Sequence, residues 1–252
     1  MIAILLWLSL QGFAARDAAG CLRLARRVGA TPVLGSLARR QLSQFQLTDD
    51  ESLMFFTSRV LNKLFGWHIA MPLSVQDRGA IETMRADPRS VIIASVHFPY
   101  FPDIQMCLEN LPGRKIAIIA MHPHLIRRQV ERFFATYPTT LFEEPNLRII
   151  PSDASCLAQI RKMVGEGWII MANVDSPQEG SAMYDMVRSG MFRLAERTKM
   201  PIYSSRYTLT NEALLEVDLL ALPHDARAGA EAFAAHHLPQ RIYALDPLFT
   251  RD

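Results

Sequence analysis

The rhythm of apolar and polar positions changes near residue 70. Upstream, apolar residues recur at helical spacing. Downstream, short unbroken apolar runs alternate with helical stretches. In the upstream part, TDDESLMFFTSRVLNKLFGW places Leu53, Phe56, Val60, Leu61 and Leu64 on one helical face. Thr48 and Glu51 stand at capping-box spacing before it, and Gly66 follows as a stop. The apolar opening MIAILLWLSLQGFAA and the arginine-rich stretch behind it also read as helices.

The downstream runs predict strands over 91–96, 115–121, 147–150, 168–174, 202–208 and 214–220. Helical stretches fall after Pro102 and over 124–137, 153–164 and 188–199. The third of these starts at Ser152 or Asp153 and stops at Gly165. Such alternation predicts an α/β fold: a mainly parallel central sheet with helices on both faces. The last two strands, joined by a short turn containing Asn211, read as an antiparallel edge hairpin. Residues 1–70 form an N-terminal helical, membrane-associating region, and residues 71–252 one α/β domain.

Composition sharpens this picture. Hydrophobic residues make up 50% of the 252 and charged residues 21%, with a net charge of +2. That balance argues against a nucleic-acid partner and against a multispanning membrane protein. The charge is unevenly placed: Arg16, Arg23, Arg26, Arg27, Arg39 and Arg40 face the single acid Asp17. The opening before them is shorter than the roughly 20 residues needed to span a bilayer. It also has no basic n-region of a secretory signal. Two readings stand: a helix lying in the membrane interface with arginines on anionic headgroups, or a buried core helix. Cys21, Cys107 and Cys156 are isolated, with no metal-ligand or disulfide spacing. They suggest a reducing compartment and no metal.

Candidate chemistry sits where two buried runs end. VIIASVHFPYFPD delivers His97 to the C-terminal edge of a strand, with Asp103 following within a turn's reach. An imidazole there stands where open α/β sheets hold ligands, and an acid beside it fixes its tautomer. EGWIIMANVDSPQEGS repeats the design, ending in Asn173, Asp175, Ser176, Gln178 and Glu179. For each run a structural reading also stands, namely a capped strand end without chemistry. Arg193, near the start of SGMFRLAERTKMPIY, is placed to meet an anion or simply to face solvent. No G-x-S-x-G nucleophile elbow is present.

Taken in order, VIIASVHFPYFPD, LRIIPSDASCLAQIRKMVGEGWIIMANVDSPQEGS and SGMFRLAERTKMPIY resemble the lipid A late acyltransferases. These form the lauroyl and myristoyl branch of the lysophospholipid acyltransferase superfamily. The family's His-x4-acid motif falls on His97 and Asp103, here with five intervening residues. Its Asp-Gln-like pair falls on Asp175 and Gln178, and its Arg-Leu-Ala run on Arg193. The arginine-bearing element after the third strand is replaced by Met121-His122-Pro123, leaving His122 or Arg127 as its cation.

The resemblance implies acyl transfer from a thioester to a hydroxyl or amine of a lipid or glycolipid. His97 would be the general base and Asp103 its orienting acid, with His122, Asp175, Gln178 and Arg193 binding substrate. The donor would be acyl carrier protein or coenzyme A, with no further cofactor. The setting would be the cytoplasmic face of a bacterial inner membrane. A thioester hydrolase and a catalytically silent lipid- or carrier-binding protein are the alternatives.

Overall fold

The computed structural model describes residues 17–65, 71–98, 102–136, 146–238 and 240–250. These fall into two compact units. One comprises residues 1–74 and 208–216, and the other residues 75–207 and 217–252. The tip of the last hairpin, 208–216, thus groups with the N-terminal unit.

In the N-terminal unit, helices α1 (Ala18–Gly29), α2 (Pro32–Leu42) and α3 (Asp49–Phe65) pack together. The Asp17 side chain caps α1, accepting from the Gly20 amide at 2.6 Å. The expected capping box opens α3. The Thr48 amide donates to Glu51 Oε2 at 2.9 Å, and the Glu51 amide to Thr48 Oγ1 at 3.3 Å. Leu53, Phe56 and Leu61 of the expected face are buried and Val60 is half-buried, while Met54 and Phe55 outside that face are buried too. A Cβ on Gly35 would stand 2.7 Å from the Gly29 carbonyl oxygen, so α1 and α2 approach closely there because neither residue carries a side chain. Two of the arginines expected at headgroups are paired within the unit instead: Arg26 to Asp50 at 2.7 Å and Arg39 to Asp49 at 2.6 Å. The apolar opening, Arg16, Gly66 and the Leu64 side chain lie outside the described residues.

The α/β architecture is as the sequence predicted. Seven strands form a mostly parallel sheet: β1 (Leu73–Val75), β2 (Val91–Ser95), β3 (Lys115–Ala120), β4 (Leu147–Pro151), β5 (Trp168–Asn173), β8 (Ile202–Leu209) and β9 (Leu215–Ala221). Their spatial order is β1-β9-β8-β2-β5-β3-β4. A small second sheet has the order β10-β7-β6, from β6 (Asp175–Pro177), β7 (Tyr184–Val187) and β10 (Ala244–Leu245). The helices are α4 (Arg78–Ala86), α5 (Pro102–Asn110), α6 (Pro123–Thr136), α7 (Cys156–Met163), α8 (Gly190–Thr198) and α9 (Ala226–His237). The pattern missed α4, α9, β1 and the three short strands. Because β1 lies outside β9, the β8–β9 hairpin is next to the edge, not at it. Helix α7 starts at Cys156, since the Asp153 side chain binds the Ser155 amide in a turn before it. Gly165 follows the helix with φ +87°, the left-handed stop expected of it.

β2 and β5 are buried on both faces, which explains their unbroken apolar runs. Ile92, Ala94 and Val96 pack with Ile170, Ala172 and Val174 into a core closed by Ile160, Phe192, Ala195, Ala230 and Phe233 from α7, α8 and α9. The topology then places a crevice. β2 leads across β5 to β3, whereas the chain leaving β5 returns across β2 to β8. Right-handed crossovers in opposite directions leave on opposite faces of the sheet. The C-terminal ends of β2 and β5 are therefore the switch point at which open α/β sheets hold ligands.

Candidate active site

β2 and β5 pair in parallel with Ser95 opposite Asn173. His97 and Asp175 each stand two residues beyond this pair, so the equal offset sets them side by side. Asp175 Oδ1 accepts from the His97 backbone amide at 2.8 Å and lies 2.8 Å from His97 Nδ1 as well. A carboxylate oxygen accepts, so Nδ1 carries the proton and Nε2 the free lone pair. Nε2 has no hydrogen-bond partner among the described residues. The Asp175 side chain is 1% exposed and that of His97 is 35% exposed, so the acid is sealed while the base reaches solvent.

The small sheet supplies the wall. Asp175 opens β6, and β7 lies antiparallel to it, with Pro177 opposite Tyr184. The Tyr184 ring stacks on His97 with centroids 4.2 Å apart and planes at 29°. Burial, and next the Asp175 charge, push the Tyr184 phenol above its ordinary value.

Asp103 does not orient His97. It stands in the first turn of α5, where Oδ1 accepts from Ser205 Oγ at 2.7 Å and from the Tyr207 hydroxyl. Ser95 Oγ stands beside the same carboxyl, with its one proton directed to Asn173 Oδ1 at 2.9 Å. Burial raises the Asp103 carboxyl above its ordinary value, opposed in part by these hydroxyls. Burial and then the Asp103 charge push Tyr207 well above its own. The group is a polar brace under the ends of β2, β5 and β8, two residues before His97 along β2. The helical turn at Pro102 carries Asp103 into that brace.

The other expected site residues scatter. His122 is exposed after β3, edge-on to His124 at 6.2 Å between ring centroids. Gln178 is half-buried, its backbone amide donating to Asp185 Oδ1 at 3.1 Å in the β6–β7 turn. Arg193, on α8, donates to the Leu248 carbonyl and so ties down the C-terminal 3-10 turn Pro247–Thr250. Arg127 is exposed on α6.

Two residues near the crevice carried no signal in the sequence. Arg241, 4% exposed, lays its guanidinium over the Phe98 ring at 5.5 Å. Tyr243, just before β10, lies beside Arg241 and feels the Asp175 charge. Tyr243 also lines an open, mostly apolar groove of about 270 Å³ with Glu231, Ala234, Ala235, Leu238, Ile242 and Leu245. A second His–Asp array exists in the same unit. His236 bonds Ser204 Oγ at 2.8 Å and Asp218 Oδ2 at 3.1 Å. Ser204 is fully buried in β8 and Asp218 is shared with Arg206, so that array holds α9 to the sheet and offers no exposed nucleophile.

Among the described residues, no group of three or more His, Cys, Asp or Glu side chains is arranged to hold a metal ion. No protein-family model matches the chain, and no curated protein matches it.

Proposed function

We propose that the protein is an acyltransferase that moves a fatty acyl group from a thioester, on acyl carrier protein or coenzyme A, to a hydroxyl or amine of a lipid or glycolipid. The observation that carries this reading is the His97–Asp175 pair at the switch point, with Nδ1 held by a buried carboxylate and Nε2 open. Among the described residues no serine, threonine or cysteine side chain bonds to Nε2. The base is thus set to act on an incoming acceptor and not on a nucleophile of the enzyme. The resemblance of the three sequence segments supplies the donor and acceptor classes.

In the reaction, Nε2 removes the proton from the acceptor hydroxyl or amine as that atom attacks the thioester carbonyl. The tetrahedral intermediate collapses with cleavage of the C–S bond. The imidazolium returns its proton to the departing thiolate, releasing a free thiol. Asp175 holds the ring and balances its transient charge, while the positioned base itself contributes about 10²–10⁴-fold. The apolar groove beside Tyr243 suits an acyl chain.

Attachment to the membrane surface is part of the proposal. On α2, Val33 is 71% and Leu37 is 41% exposed, one turn apart, and Arg40 follows on the same side. No helix among the described residues is long and apolar enough to cross a membrane.

The test is thiol release by detergent-purified wild type and His97→Ala, with panels of acyl-carrier and acyl-coenzyme A donors and a bacterial lipid extract as acceptor. Acceptor-dependent release that vanishes in His97→Ala supports the transferase. Release independent of acceptor makes the protein a hydrolase. Equal release by His97→Ala, or none with any donor, removes His97 as catalytic base and leaves a lipid or carrier binder.

A further inference from the structure

Two other arginines of this unit, each half-buried, hold carbonyl or carboxylate partners. Arg114 donates to the Met84, Asp87, Arg89 and Gly167 carbonyls at 2.5–2.9 Å, joining the last turn of α4, the loop after it and the turn before β5. Arg206 pairs with Asp218 at 2.6 Å and donates to the His236 carbonyl at 2.8 Å, although its Nε is buried without a partner. Arg241 is different. Its Nη1 is sealed from solvent with no hydrogen-bond partner, and among the described residues no carboxylate pairs with its guanidinium. Three carboxylates of the same unit are engaged elsewhere: Asp175 by His97, Asp218 by Arg206 and His236, and Asp246 by Ser189 and the Leu248 amide. The Tyr243 hydroxyl is buried as well, facing the Arg241 side chain closely enough to interact with it but without hydrogen-bond geometry.

A buried cation without an acceptor is costly, and native interiors rarely keep one idle. Phe98 occupies one face of the guanidinium and leaves its in-plane donors for an acceptor. Phe98 directly follows His97, and Tyr243 lies within reach of the Asp175 charge, so the vacant donors adjoin the reactive pair.

We propose that Arg241 and Tyr243 form a receptor for an oxyanion, a phosphate or carboxylate group on the molecule processed at His97. The location rests on the reading of His97 as the reactive base. The receptor itself rests only on the two vacant donors. The in-plane guanidinium donors take one or two oxygens of the anion, and the Tyr243 hydroxyl takes another. The group thereby anchors the substrate while its acceptor or thioester atom reaches Nε2.

The experiment uses the full chain and reads thermal midpoints with inorganic phosphate, acetate or sodium chloride at matched ionic strength. Wild type and His97→Ala should both be protected by phosphate or acetate beyond chloride, which separates this site from the fate of His97. The stronger of the two anions identifies the ligand chemistry. Arg241→Met should weaken that protection at least tenfold in apparent affinity, and Tyr243→Phe about threefold. Without anion, Arg241→Met should melt no lower than wild type, because it removes a vacant buried charge. Failure of both anions to protect wild type, or equal protection of Arg241→Met, overturns the receptor. A large loss of midpoint in Arg241→Met makes Arg241 a structural residue and also overturns it. If Arg241→Met does not fold, Tyr243→Phe decides, and unchanged protection in that variant counts against the proposal.

Discussion

His97 is gripped twice by one oxygen of Asp175: its backbone amide and its ring Nδ1 both lie 2.8 Å from Oδ1. The first contact fixes where the strand end sits, and the second fixes the ring and its tautomer. Asp175→Asn keeps an oxygen for the backbone amide but supplies no charge for an imidazolium. We expect it to lower thiol release by about 10²–10⁴-fold with little change in thermal midpoint. Steady-state kinetics beside circular dichroism checks this. Activity close to wild type would show that Asp175 is only a strand clip.

Tyr184 tests the stack. Tyr184→Phe retains a ring on His97 and should stay within about threefold of wild type. Tyr184→Ala frees the imidazole to rotate and should cost about tenfold in kcat, within the range of misplaced catalytic groups. Equal activity in the two variants would remove the ring from any positioning role.

Asp103 makes a prediction about pH and stability. Its carboxyl is raised by burial, so between its ordinary value and its folded one the native state holds a proton that the unfolded chain has released. The stability it contributes is fully present below the ordinary value and is lost as pH rises across that interval. Asp103→Asn mimics the protonated acid toward Ser205 and Tyr207. It should flatten that slope in denaturant titrations run from about pH 4 upward. An unchanged slope would place the titration elsewhere.

His237 has the opposite sign. Burial first, and then the charges of Arg241, His236 and Arg206, push it well below 6.5, and its Nε2 meets Ser204. His236 beside it is also lowered by burial, against the pull of Asp218. The native state refuses protons that the unfolded chain accepts, so the stability is present above 6.5 and is lost as pH falls from there. His237→Gln should reduce this acid lability. A melting series from pH 7 to about pH 5 reads it directly.

Thr48→Ala removes one arm of the α3 capping box and should cost the N-terminal unit about 1 kcal/mol. Chemical denaturation followed by helical circular dichroism measures the loss. Thr48→Ser should restore most of it, because the hydroxyl alone makes the bond.

How much of this was legible in the chain depends on the distance over which each feature is decided. The capping box, the stop at Gly165 and the apolar runs of β2 and β5 rest on contacts within a few residues, and each appears where the pattern placed it. His97 at a strand end followed from the same local logic. Its partner did not. Asp103, six positions away, is the nearest acid in sequence, but the helix beginning at Pro102 rotates it under Ser205 and Tyr207. Asp175, 78 positions away, arrives because the parallel register sets Ser95 opposite Asn173, and His97 and Asp175 each stand two residues beyond that pair. Arg241 and Tyr243 reach the crevice because β10 joins β7 in register, Ala244 opposite Met186, a pairing that two residues of strand cannot announce. Periodicity and capping are short-range and are written in the order of residues. Strand register and the closure of a site between distant segments are set by the packing of the whole sheet, and that is where the His97–Asp175 pair was decided.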